Sequence, residues 1–149
     1  MAIKRAFAQE DTNIQTNTVR GSRDQDYTDI DLSFTAKSTS GEIFKKTDAA
    51  SVKQAVKNLI MTNFLEKPFQ PEYGGDILGQ LFELETADME EDIEYNVTQQ
   101  IERYEPRAET VDVIATSNPD RNSLEVTVKF KLINTNEVVE VTTSLSRLR

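Results

Sequence analysis

The chain has 149 residues, 37% apolar and 29% charged, with a net charge of −9 and neither cysteine nor histidine. One domain is expected at that length, and the low apolar share predicts that part of the chain is extended or buried only against a partner. The composition excludes disulfides, thiolate metal sites, imidazole bases and a histidine pH switch, and the acidity speaks against a general nucleic-acid binder. No apolar run approaches the roughly 18–20 residues of a membrane span. Met1-Ala2-Ile3-Lys4-Arg5 lacks a signal-peptide core, so a soluble protein of a reducing compartment is expected.

Residues 1–26 read as an arm. Ile3, Phe7, Ile14 and Val19 are too scattered among Gln, Asn, Thr, Ser and Asp for either period. Two readings stay open: a disordered terminus, or a segment that orders on a partner with Ile3 and Phe7 as anchors. Residues 27–149 form the domain. From Tyr27 to Phe34 the alternation puts Ile30, Leu32 and Phe34 on one face and Asp29, Asp31 and Ser33 on the other, which predicts a half-buried strand with solvated aspartates. Ser38-Thr39-Ser40-Gly41 is a turn, and Ile43 and Phe44 return from it.

Asp48 is expected to cap a helix of about fifteen residues whose stripe is Val52, Val56, Leu59 and Ile60. Two prolines, Pro68 and Pro71, fix an irregular link in which Phe64 and Phe69 are expected to pack inward. Tyr73-Gly74-Gly75-Asp76 turns into a short helix carrying Ile77, Leu78, Leu81 and Phe82. Lacking a Walker lysine and a preceding strand, the glycine pair is no phosphate loop.

Thr86 is expected to cap the longest helix, which runs to about Arg103. Met89, Ile93, Val97, Ile101 and Tyr104 make one narrow stripe. Its start is acidic, with Asp88, Glu90, Glu91, Asp92 and Glu94. Charges there favour the helix dipole, yet so many exceed what capping needs, and a docking surface for a basic partner is a second reading. Pro106 then stops the helix between Glu105 and Arg107. Three strands follow. Val111, Val113 and Ala115 alternate up to Ser117-Asn118-Pro119-Asp120. Leu124, Val126, Val128, Phe130 and Leu132 give the clearest alternation, and after Asn134-Thr135-Asn136 the last strand carries Val139 and Val141 and ends near Leu145. The expected fold is α+β, an antiparallel sheet of three to four strands packed against two to three helices, with an extended N-terminal arm.

No catalytic constellation emerges. Glu102 with Glu105, and Glu91 with Glu94, are paired three apart on a helix, a spacing common by chance, and no Gly-x-Ser-x-Gly elbow or Ser-x-x-Lys pair occurs. The chain is therefore read as no enzyme, with no catalytic residues, cofactors or metal.

Several stretches carry a resemblance: Asp29-Ile30-Asp31-Leu32-Ser33-Phe34, Gly41, the helix from Asp48 to Ile60, Pro68-Phe69-Gln70-Pro71-Glu72-Tyr73-Gly74-Gly75, Leu81-Phe82-Glu83 and Tyr104-Glu105-Pro106-Arg107. In this order and spacing, over roughly residues 27–133, the chain resembles the baseplate wedge proteins of contractile-tail phages that act as sheath initiators. A type VI secretion baseplate component is related to them. It departs from them before the first proline, where Asn63-Phe64-Leu65-Glu66-Lys67 replaces the family's Gly-Glu-Arg.

The resemblance implies a structural role in the virion tail baseplate, assembled in the host cytoplasm. Multiple copies stand around a six-fold baseplate, and the partners are wedge proteins, the tail sheath and tube or hub proteins, with no nucleic acid or membrane. The Tyr104-Glu105-Pro106-Arg107 turn is implied to dock on the wedge core. Val138, Val139, Glu140, Val141 and Thr142, with Arg147 and Arg149 of the basic tail, are implied to pair with sheath arms. An internal ion pair between Glu105 and Arg107 is the competing reading of that turn. A secretion-system component and a peptidoglycan hydrolase are the alternatives; the family is sometimes labelled lysozyme-like, and no residue arrangement in this chain supports that label.

Overall fold

Leu124, Val126, Val128, Phe130 and Leu132 are all buried, and the strand they belong to, β4, is the centre of the fold. The structure is a computed structural model and describes residues 27–82 and 88–147. The expected arm at 1–26, the expected cap Thr86 and the tail residue Arg149 lie outside the described residues. In chain order the elements are β1 (Thr28–Ile30), β2 (Lys45–Thr47), α1 (Asp48–Met61), α2 (Ile77–Phe82), α3 (Met89–Tyr104), β3 (Ala108–Asn118), β4 (Ser123–Leu132) and β5 (Val138–Ser146). The expected α+β class holds, with the strands divided between two antiparallel sheets, β1-β2 and β3-β4-β5.

One face of the larger sheet is dry. Helix α3 lies along β3 and presents Ile93, Val97 and Ile101, and α1 adds Val52, Val56, Leu59 and Ile60 beside β5 and α3. Each such side chain contributes about 1.5–3 kcal/mol by leaving water, which is why the period-2 pattern of β4 and the 3.6 pattern of α3 dictate the packing. The opposite face is polar, with Lys129 near Asp112 at 3.5 Å, Lys131 near Glu109 at 3.8 Å and a Thr127–Thr142 hydroxyl pair. Exposed pairs of this kind add little stability and mainly keep the face wet.

Four expectations are corrected. Alternation from Tyr27 to Phe34 does not make one half-buried strand. β1 ends at Ile30, the Asp31 carboxylate accepts the Ser33 amide at 3.0 Å, and Phe34 turns with φ +52°, so Ile30, Leu32 and Phe34 are exposed. An aspartate turning its own backbone has outcompeted the strand ladder. Both aspartates are also ion-paired rather than solvated, Asp31 with Lys46 and Asp29 with Arg107. Asp48 is the first helical residue after Thr47, and its carboxylate accepts the Tyr27 amide instead of a helix amide. Val111 faces solvent because the β3–β4 register shifts between Thr110 and Asp112, a bulge that turns one residue out.

The fourth correction concerns the proline link. Phe69 is fully exposed and Phe64 partly so; Leu65 and Phe69 take φ of +66° and +67°, and the Leu65 amide bonds the Pro71 carbonyl at 2.9 Å, closing the loop outward. What holds this link to the core is the glycine pair behind it. The Gly75 amide donates to the Leu59 carbonyl at 3.0 Å, and the Asp76 amide donates to the Thr62 carbonyl at 3.2 Å, so this turn satisfies carbonyls at the end of α1. A Cβ on Gly74, at φ +129°, would stand 2.2 Å from the Thr62 carbonyl oxygen, whereas Gly41, at φ +72°, faces open space. Gly74→Ala should therefore lower unfolding free energy by about 3 kcal/mol or more and Gly41→Ala by only about 1 kcal/mol, measured by urea denaturation.

Candidate partner-docking site

Helix α3 ends where expected. The Glu105 amide still donates to the Ile101 carbonyl at 2.8 Å, Pro106 cannot continue the ladder, and the Ala108 amide donates to the Glu105 carbonyl at 3.0 Å to start β3. Inside this corner Glu105 is only 7% exposed. Both its oxygens are taken by one guanidinium: Arg107 Nε donates to Oε1 at 2.6 Å and Nη2 to Oε2 at 2.9 Å. Arg107 Nη1 reaches across to Asp29 Oδ2 at 3.0 Å and to Ser51 Oγ at 3.4 Å, and Ser51 in turn donates to Asp29. The Tyr27 ring lies under the guanidinium at 5.5 Å. One turn thus ties α3, β1 and α1 together.

The electrostatics follow from these contacts. The Ser51 hydroxyl, followed by the Arg107 guanidinium, holds Asp29 below the usual carboxylate range, against a modest opposing effect of burial. Arg107 is pushed further up by Glu105 and then Asp29. Burial, helped by the Glu105 charge, raises the Tyr73 phenol. Tyr73 meets Tyr104 edge-on at 5.0 Å, so the turn is framed by aromatic rings on the side of the proline link.

Of the turn's four residues, Tyr104 is half-buried, Glu105 buried, Pro106 exposed and Arg107 half-buried. Of the two residues that complete the network, Asp29 is expected in solvent from the sequence pattern, and Ser51 is not singled out by it. Ser51 carried a signal, since it is a polar residue on the buried side of α1.

The β5 residues sit on the sheet's other margin. Pairing of Val128 with Val141 and of Phe130 with Val139, together with the Arg147 amide bonded to the Asn122 carbonyl, turns the odd-numbered amides of β5 toward β4. The even-numbered residues Val138, Glu140, Thr142, Ser144 and Ser146 point their N–H and C=O groups away from the sheet. Among the described residues no partner meets them. Side chains of Val138, Glu140 and Thr142 are exposed, Val139 is half-buried and Val141 belongs to the core. Arg147 stacks over Phe82 at 5.2 Å. The corner and Val138 share one end of the sheet, since the Ile133 amide bonds the Arg107 carbonyl. Arg147 lies at the other end, about 30 Å along β5.

Fold and site together define a small α+β domain with an ion-paired corner and, in its larger sheet, a β5 margin that no described residue covers. Residues 46–137 match the family model described as baseplate wedge protein gp25, and the chain belongs to that family. It is 28% identical over 99 residues to baseplate wedge protein gp25 of Enterobacteria phage T4, covering 66% of this chain and 75% of that protein. Two solved structures share the fold. One, described as a putative tail lysozyme from Geobacter sulfurreducens, has a TM-score of 0.56 at 18% identity, covering 66% of this chain and 89% of that one. The other, a chain of the anti-feeding prophage baseplate in a six-fold symmetrised cryo-EM structure, has a TM-score of 0.55 at 20% identity, covering 80% and 84%.

Arg107→Ala should cost about 3 kcal/mol, because it strands a buried carboxylate, and Arg107→Lys should restore less than half, since an ammonium cannot hold both oxygens. Asp29 provides a pH signature. Its folded pKa is depressed, so its stabilisation is present above the unfolded value near 3.8 and is lost as pH falls through the folded pKa. Asp29→Asn should accordingly flatten the fall of Tm below about pH 4, in a thermal series over pH.

Proposed function

We propose that this baseplate wedge protein nucleates the contractile sheath: β5 accepts an extended arm of the first sheath ring as an added strand, while the Tyr104–Arg107 corner docks on the wedge core. The observation that carries the reading is the row of outward N–H and C=O groups at Val138, Glu140, Thr142, Ser144 and Ser146, on a strand whose other side is locked to β4. The basic Arg147 flanks its far end, and Arg149 follows two residues later in the sequence. The corner suits docking because it is already rigid. Pro106 projects from it, and four of the five guanidinium N–H groups are used, leaving one on Nη2 for a carbonyl or carboxylate of the wedge core. Internal ion pairing and outward docking are thus compatible roles for Arg107.

In this reading copies stand around a six-fold baseplate, assemble in the host cytoplasm and meet sheath, wedge and hub or tube proteins. The likeness to the phage T4 protein favours a phage tail over a secretion machine. Peptidoglycan hydrolysis is disfavoured by the corner itself. A glycosidase needs carboxyl groups free to meet the sugar, yet both Glu105 oxygens are engaged by Arg107, and Asp29 is held below the usual carboxylate range.

Two substitutions separate the surfaces. Thr142→Pro removes an outward donor and no backbone bond to β4, losing only the exposed Thr127–Thr142 hydroxyl pair, so it should leave a folded chain that joins baseplates but forms no sheath; sheaths of normal length by electron microscopy would refute the β5 reading. Pro106→Asp should weaken capture by wedge proteins about ten-fold while Tm falls by only a few degrees, read by pull-down titration beside calorimetry.

A further inference from the structure

A three-stranded sheet has two margins, and in this chain they are treated differently. On β3 the outward amides are the odd-numbered ones beyond the bulge, by the same pairing logic that applies to β5. Two of them are occupied by side chains of the neighbouring helix: the Ala115 amide donates to Glu94 Oε1 at 2.9 Å, and the Ser117 amide donates to Glu90 Oε1 at 2.6 Å. The match is geometric. Glu90 and Glu94 are one helical turn apart, about 6 Å of rise, and Ala115 and Ser117 are two strand residues apart, about 6.8 Å. Because the Pro106 corner folds β3 back antiparallel to α3, a rising helix number meets a falling strand number.

The ladder of carboxylates stops one turn later. Thr98 is the next residue in line, and its hydroxyl donates to the Glu94 carbonyl at 2.8 Å, so it offers Val113 nothing. At this place the edge is disrupted instead by the bulge at Val111. The margin of β3 is therefore occupied at Ala115 and Ser117 by charge-assisted bonds, and toward the corner its regular spacing is broken by the bulge. No comparable cover meets β5 among the described residues.

We propose that Glu90 and Glu94 are edge guards: they occupy the amides of β3 and so confine strand addition to β5. Without them the free margin of β3 is a template for a second copy of this chain. The inference extends the proposed function by naming what selects the edge, and it explains two of the acidic groups that helix capping left over.

The test uses the full chain alone, without sheath or baseplate, so its failure leaves the β5 reading untouched and the failure of that reading leaves this one untouched. In Glu90→Ala/Glu94→Ala, self-association by sedimentation velocity should tighten by about ten-fold over the unsubstituted chain. Glu90→Gln/Glu94→Gln, which keeps an acceptor oxygen at each site, should stay at the original value. Adding Ala115→Pro to the double alanine variant removes the outward amide without touching a β4 bond and should abolish the gain. An unchanged association constant overturns the proposal, as does a gain that Ala115→Pro fails to reverse. Should the double alanine variant not fold, the single Glu94→Ala variant decides the matter by amide exchange. Exchange at Ala115 should speed up about ten-fold, with Glu94→Gln near the original rate, and equal rates in all three overturn the guard.

Discussion

A nearly buried carboxylate held by a guanidinium two residues further on determines how this domain is put together. Glu105 sits where α3 ends, and leaving it uncompensated in that position would cost several kcal/mol. Arg107 compensates it with two parallel bonds, and that geometry fixes the direction in which the chain leaves the turn. The same guanidinium reaches Asp29, so the short β1 segment, far away in sequence, is pinned to the corner as well. The direction in which β3 leaves the corner and the tie of β1 to that corner lean on this one ion pair, beside the core packing that lays β3 along α3. A proline by itself would only have stopped the helix.

How much of this the sequence revealed depended on where the deciding interaction lay. β4 could be read directly, because a strand with one buried face must alternate and nothing local competes. The stripe of α3 was clear for the same reason. Tyr27 to Phe34 alternates just as well yet forms only three residues of strand, because the Asp31 side chain can bond its own backbone and does so. Phe64 and Phe69 looked like core by composition, and the backbone of the proline loop turned them outward. Hydrophobic pattern predicts burial only where the backbone lets the side chain point inward.

The site shows the same division. Glu-Pro-Arg stood out because a helix breaker flanked by opposite charges is a local signature. Asp29 and Ser51 complete the network from 78 and 56 residues away, and no spacing rule points to them. Glu90 and Glu94 were visible only as a surplus of acid, since a side chain bonded to a distant strand amide leaves no trace in the order of residues. What the chain's own pattern could not supply, the family resemblance supplied as an expectation about partners, and the free margin of β5 gives that expectation a physical surface.

That margin has a mechanical consequence. Hydrogen bonds across an antiparallel pair lie perpendicular to the strands. A strand seated on β5 and pulled along its length would load all its bonds at once, in shear, whereas one lifted from an end would peel, breaking them singly. The orientation of β5 relative to a pulling force therefore matters more than the number of bonds it makes. The same joint can be stiff against a load along the strand and easy to seat or release from one end.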